Sequence, residues 1–287
     1  TATSGSFGAT VVASKLLKLN EAQTINALGL VSTRASGIKS QFGTMGKPYH
    51  AGMAASNGIE AAKLSKLGFV SREDGIECDQ GFFLTHGWDK KTPSRALDNL
   101  GTDFLFPEIK YKFHACCHGL HSFLEALEEL KQENNFNPES IEEIAIETNP
   151  SWLKVCNIQE PKTGLESKFS YKLTAAMSIY GKDTADLGTY NDDICFDDRI
   201  NNIRDKVKVI PNDQLSNTQS LISIKDGSRD IKNKHDLSDK IDQNILETKI
   251  VNKSASLLSK NKSHEISKML NAPSESKVAS LVDCLVS

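Results

Sequence analysis

Apolar positions recur at helical spacing at both ends of this chain and with a period of two in its middle. Residues 6–17, rich in Ala, Val and Leu, predict a first helix. Asn20 and Gln23 stand in the capping-box relation and predict a second, running to about Thr33. A run of small residues from Ala51 to Ala62 predicts a third. Pro48 suits its first position, where a missing N–H costs nothing, and Gly68 suits its close after Leu67. Gly52, Ala55, Gly58 and Ala62 along that helix would let a neighbouring helix approach closely. Residues 75–108, rich in Gly, Asp, Pro and Phe, read as a loop with short helices.

The pattern then changes. Residues 121–131 place apolar and acidic side chains at helical spacing, predicting a helix with an exposed acidic face. Residues 142–148 alternate strictly and predict a half-buried strand. Thr163 and Glu166 form another capping box, for a helix running to about Tyr180. Residues 207–210 read as a short strand. Residues 221–225 and 228–232 flank Asp226-Gly227, a strong hairpin signal. From Leu237 the pattern is helical again, carried by Ile241, Ile245, Ile250, Val251, Leu257 and Leu258. The expected fold is mostly α. A helical domain (1–108) is followed by an inserted α+β domain (109–236), and the chain returns to the helical domain over 237–287.

Composition narrows the function classes. The chain has 287 residues, 38% of them hydrophobic and 25% charged, which fits a folded soluble protein rather than a disordered one. A net charge of −3 argues against a nucleic-acid binder. No apolar run approaches the length of a membrane span, and the start lacks a signal-peptide pattern. Six scattered cysteines form no close-spaced framework, so free thiols and a cytoplasmic setting are expected.

The candidate chemistry begins at Lys47, between Gly46 and Pro48 at the predicted start of the third helix. Unpaired N–H groups, the positive end of the helix dipole and an ammonium would face one spot there, suited to a carboxylate or phosphate. A nucleotide P-loop is set aside, because Gln41 occupies the first glycine position and Pro48 the hydroxyl position. His50, three residues on, would orient a substrate or shuttle a proton, or else cap or pack the helix. Lys112, His114, Cys116, Cys117, His118 and His121 form a second cluster. Its spacing does not match zinc-ligand pairs, so no metal is expected. His118 and His121 share a helix face and suit proton transfer near neutral pH. Cys116 reads as a small buried hydrophobe. Lys168 falls in the first turn of the helix capped by Thr163. A cation there opposes the dipole and is either held for an anionic ligand or simply exposed. Neither a nucleophile elbow nor a dinucleotide fingerprint is present.

The run Gly43-Thr44-Met45-Gly46-Lys47-Pro48-Tyr49-His50-Ala51-Gly52 resembles the Gly-Thr-Met-Thr-Lys-Pro-Leu-His-Ala-Gly segment of the MmgE/PrpD family. Gly46 and Tyr49 depart from it. Residues 1–9 resemble the glycine-rich opening of a family core helix. Residues 112–121 resemble its Lys-x-x-x-Cys-Cys-x-x-x-His segment, and 161–170 its Thr-Gly-Leu-Glu-Ala-Lys-Phe-Ser helix start. The resemblance implies a helical domain with an α+β lid, a site between them, a homodimer, and a cofactor-independent reaction on a small di- or tricarboxylate. It implies catalytic roles for Lys47 and His121, and substrate binding by His50, Lys112, Cys117, His118 and Lys168. The expected reaction is dehydration of the 2-methylcitrate kind. Epimerisation, decarboxylation or non-catalytic carboxylate binding are the alternatives. Against the family, a stretch of the helical domain that carries an aspartate and histidines is expected upstream of Thr1. Its absence would leave Val11, Val12, Leu16 and Leu17 short of apolar partners.

Overall fold

The computed structural model describes residues 1–87, 98–227, 229–272 and 278–286. It divides into two compact units, Thr1–Ile109 and Lys110–Ser287. Among the described residues the chain is mostly helical, with one four-stranded mixed sheet. No helix among them is long and apolar enough to cross a membrane.

The first unit carries α1 (Ala2–Leu16), α2 (Glu21–Ser32), α3 (Gly46–Lys66) and the short α4 (Phe82–Thr85). The predicted capping box starts α2: the Gln23 N–H donates to Asn20 Oδ1 at 2.9 Å, and the Asn20 N–H to Gln23 Oε1 at 3.1 Å. α1 and α3 cross very closely. A Cβ on Gly58 would sit 2.5 Å from the Thr10 nitrogen, so only glycine fits the crossing. The buried face of α3 is Ala54, Asn57, Gly58, Ala61, Ala62 and Ser65. Gly52 and Ala55 of the expected small-residue stripe are instead exposed, because the helix turns them to the opposite side. On α1 the buried face is small and polar. Ser6 and Thr10 satisfy their hydroxyls on the carbonyls of Ala2 and Ser6, while Val11, Val12 and Leu16 are exposed. Gly68 closes α3 in the left-handed region (φ +88°), as the sequence predicts.

The second unit opens with α5 (His121–Glu133) and β1 (Ile141–Thr148). The short α6 (Pro150–Leu153) and α7 (Gly164–Ser167) follow, then α8 (Tyr171–Ile179) and α9 (Asp198–Asp205). Next come β2 (Val207–Pro211), β3 (Gln219–Asp226) and β4 (Arg229–Asp236). The last elements are α10 (Gln243–Leu258), α11 (Lys260–Asn271) and α12 (Val278–Val286). The sheet order is β2-β1-β3-β4. β2 runs parallel to β1, and β3 and β4 are antiparallel neighbours. Asp226 pairs with Arg229 across the predicted hairpin turn, and Gly227 takes φ +60° there. α5 lies on β3 and β4, while α8 packs against α5, α9 and β2. Phe123, Leu127, Ile144, Ile146, Tyr171 and Met177 are fully buried in the resulting core.

Two elements differ from their sequence pattern. The helix expected from Thr163 to about Tyr180 is two helices. The chain breaks over 168–170, where the Lys168 carbonyl accepts from the Cys117 N–H (2.9 Å) and the Phe169 carbonyl from the Ile158 N–H (3.0 Å). Ser170 then caps α8. α5 does not show a simple exposed acidic face either, since every residue from His121 to Leu127 is buried, Glu125 included. α10 is anchored within this unit. Lys249 pairs with Glu125, and Lys253 and Ser256 donate to the Ala185 carbonyl.

Candidate functional site

Lys47 and His50 belong to the first unit. α3 begins at Gly46, two residues before Pro48, so Lys47 is its second residue. The donors expected to be unpaired there are used within the turn. The Gly46 N–H donates to Thr44 Oγ1 (3.1 Å), the Lys47 N–H to the Thr44 carbonyl (3.2 Å) and the Tyr49 N–H to the Met45 carbonyl (3.3 Å). The anion-binding element that remains is the Lys47 ammonium, which is exposed and has no ion pair among the described residues. His50 is half-buried on the next turn, beside Gly37. A Cβ on Gly37 would lie 3.5 Å from His50 Nδ1 and 2.9 Å from the Ala2 side chain, and the residue takes φ +105°, so glycine is required. Thr3 Oγ1 and Asn57 Nδ2 donate to the Ser36 and Arg34 carbonyls and hold that loop against the helices.

The second unit brings Lys112, Cys117, His118, His121 and Lys168 together. The segment after Lys112 is pinned twice, by the Ala115 N–H on the Thr184 carbonyl (2.8 Å) and the Cys117 N–H on the Lys168 carbonyl (2.9 Å). A short 3₁₀ turn, 118–120, then runs into α5. Gly119 makes that turn possible, because a Cβ would sit 2.5 Å from the Trp152 ring and 2.8 Å from Cys156 Sγ. Its carbonyl accepts from the Tyr171 hydroxyl at 2.7 Å. The His118 ring is thereby set edge-on to Trp152, with centroids 6.3 Å apart, and 5.4 Å from the His121 ring.

The electrostatics of this cluster follow from burial and lysines. His118 is pushed below its ordinary pKa by partial burial, then by Lys112 and Lys110, so it is a neutral imidazole able to accept a proton. His121 is fully buried and is pushed down to about 2, by burial first and then by His114, Lys112 and His118. Neither of its ring nitrogens has a hydrogen-bond partner, and a weak polar contact with the Cys116 backbone falls outside hydrogen-bond geometry. Lys168 caps the C-terminal end of α7 rather than starting a longer helix. Its ammonium lies 5.7 Å from the Tyr190 ring centroid, and burial lowers its pKa, with Lys112 adding to the shift. Burial also raises the Cys116 thiol to about 12, which suits the small-hydrophobe reading. Among the described residues neither Lys112 nor Lys168 has a carboxylate within ion-pair distance.

Sequence reasoning missed the polar line behind this cluster. His114 Nδ1 meets Thr184 Oγ1 at 2.7 Å and its Nε2 meets Glu125 Oε1 at 3.1 Å, with all three side chains buried. Burial pushes the Glu125 carboxyl up, but hydrogen bonds from His114 and Lys249 outweigh it and hold the group at about 2. Nothing in the periodicity marks Glu125 as buried. The one available signal was the density of histidines just upstream. Among the described residues no three His, Cys, Asp or Glu side chains are placed to hold one metal ion.

With this geometry in view, comparison with known families is decisive. The MmgE/PrpD N-terminal domain profile matches residues 1–93 and the C-terminal domain profile residues 114–271. The chain belongs to the MmgE/PrpD family. The interval between the two matched domains spans the division of this MmgE/PrpD chain at Ile109/Lys110. It is 33% identical over 135 residues to a cis-aconitate decarboxylase-like protein, oryM, of Aspergillus oryzae, covering 45% of this chain and 28% of that protein. It is 33% identical over 125 residues to cis-aconitate decarboxylase of Aspergillus terreus (41% of this chain, 26% of that protein). Over 94 residues it is 35% identical to human cis-aconitate decarboxylase (32% and 20%). The matched stretches therefore span 20–28% of these relatives' length.

Proposed function

We propose that this chain is part of a cofactor-independent lyase acting on a small di- or tricarboxylate. The observation that carries the reading is the pair of lysines, Lys112 and Lys168, without carboxylate partners among the described residues and gathered around His118 and Cys117. The chemistry is charge development on a carbon next to a carboxylate. Cations aimed at that carboxylate stabilise the transition state more than the ground state. His118, neutral and half-buried, is the group that takes or returns the proton at carbon. Lys112, Lys168 and Cys117 bind the substrate. On the first unit, Lys47 is the candidate cation for the same class of acid and His50 the group that orients it. His121 is fully buried 5.4 Å from the His118 ring, so it acts on the proton rather than on the substrate.

Decarboxylation of a cis-aconitate-like acid is the first outcome, because the relatives named above are cis-aconitate decarboxylases. The C–C bond to one carboxylate breaks, carbon dioxide leaves, and the electron pair on carbon takes a proton. Dehydration of the 2-methylcitrate kind is the second. It uses the same negative charge with loss of the neighbouring hydroxyl as water. A homodimer and a cytoplasmic location complete the proposal. The deciding experiment incubates the full-length protein with cis-aconitate, 2-methylcitrate, citrate and iminodisuccinate and follows product and α-proton exchange by NMR. Binding of these acids without turnover or exchange would leave a carboxylate-binding protein and sink the lyase reading.

A further inference from the structure

His121 is the least explained group in the second unit. It is wholly buried, yet among the described residues neither of its ring nitrogens has a hydrogen-bond partner. Buried polar atoms are nearly always satisfied, and where protein supplies no partner the usual one is an ordered water. Its neighbours give such water a direction. On one side is the His118 ring, 5.4 Å away and only half-buried in the lysine-lined cluster. On the other, Glu125 lies four residues along the same helix, on the same face. Glu125 lines a cavity of about 540 Å³, together with His114, Thr184, Asn252 and Lys253. The carboxylate is held at that cavity by His114 and Lys249, and its remaining lone pairs are available to water.

We propose that His118, His121 and Glu125 form a proton line, bridged by water, that connects the lysine-lined candidate site to the cavity beside α10. The inference rests on the lyase reading for its direction of use, but not for its existence. In a decarboxylation the carbanion takes a proton from one His118 nitrogen. His118 regains it from a bridging water, which is resupplied by His121 as that ring accepts a proton at its other nitrogen from the Glu125 side. In a dehydration the proton taken from carbon leaves with the hydroxyl as water, so no net shift along the line is needed. One proton is gained and one lost at each stage, so His121 never holds a net charge. A neutral imidazole with one N–H and one lone pair is the group that permits this. Its low pKa is compatible with the role. No imidazolium forms at His121 in such a relay, so burial that disfavours its charged form does not oppose it.

Two measurements test the line. The first needs no substrate. In the intact protein labelled with ¹⁵N-histidine, the His121 ring N–H should exchange with water within seconds despite its burial. Retention for hours, as in a dry sealed imidazole, overturns the proposal. The second uses the acid turned over fastest in the NMR screen. His121→Gln keeps a polar group but not two relaying nitrogens, and should lower kcat by about tenfold or more while leaving KM unchanged. His121→Gly should be rescued by added imidazole but not by 1-methylimidazole, which has a lone pair and no N–H. An unchanged kcat in His121→Gln, or equal rescue by both imidazoles, overturns the line. If His121→Gly does not fold, His121→Gln and the exchange rate decide. If the wild-type protein turns over no acid, the lyase reading fails while the exchange measurement still decides the line.

Discussion

Glu125→Gln should destabilise the second unit at neutral pH and cost progressively less as the solution is acidified. The side chain is 7% exposed and receives hydrogen bonds from His114 and Lys249. Its carboxyl sits at about 2, against an ordinary value of 4.5. That difference of two to three pKa units corresponds to about 3 kcal/mol of stability at pH 7. The figure agrees with the roughly 3–5 kcal/mol lost when one member of a buried pair is removed. Lys249 is 36% exposed and its ammonium can turn to water, which places the loss at the lower end. The sign follows from the depressed pKa. The stabilisation is complete above the unfolded carboxyl's pKa and disappears as pH falls from about 4.5 toward 2. At about 2–4 °C per kcal/mol for a domain of this size, the variant should melt about 6–12 °C below wild type at pH 7. The gap should shrink steadily below pH 4.5. Calorimetric melts of both proteins from pH 7 to pH 3 provide the assay. Equal melting temperatures at pH 7, or a gap that stays constant on acidification, would refute the assignment of Glu125 as a charged, buried anchor.

Lys47→Ala should lower kcat/KM by about a hundred- to a thousandfold. Its melting temperature should be unchanged, because the side chain is exposed and unpaired; near wild-type kcat/KM removes Lys47 from the mechanism. Gly119→Ala places a Cβ 2.5 Å from the Trp152 ring and should cost about 1–3 kcal/mol. A melt identical to wild type would show that the 118–120 turn is not held by that contact. Activity should persist after chelation, since adjacent cysteines followed by His-x-x-His lack zinc-ligand spacing. Loss of turnover on chelation, restored by one added metal, would overturn that expectation.

The elements whose cause is local were legible in the chain. Asn20 with Gln23, Asp226-Gly227 and the alternation through β1 each act within a few residues, and each takes its expected form. The helix from Thr163 was misjudged because its break is made from outside. Cys117 and Ile158, remote in sequence, donate to the carbonyls of 168–169 and stop the helix there. The donors at the start of α3 were misjudged for the opposite reason, since Thr44 and Met45 just upstream take them up. Of the candidate residues, the sequence singled out Lys112, Cys117, His118 and His121 as one stretch. It held no sign that Lys168 joins them, apart from the family resemblance.

By itself, then, the sequence determined local caps, turns and strand alternation, and membership of a family through short motifs. These depend on backbone chemistry and residue order over a few positions. Tertiary structure alone decided which polar groups are buried. An acidic residue on a helix reads as solvated until the strands and loops that cover it are known. Only when α10 delivers Lys249 and the 112–117 segment delivers His114 does Glu125 become a buried, paired anion. His121 likewise reads as an ordinary titrating histidine in sequence. Burial among His114, His118 and the core takes it out of bulk solvent and disfavours its charged form, because desolvation depends on what the rest of the chain places around it.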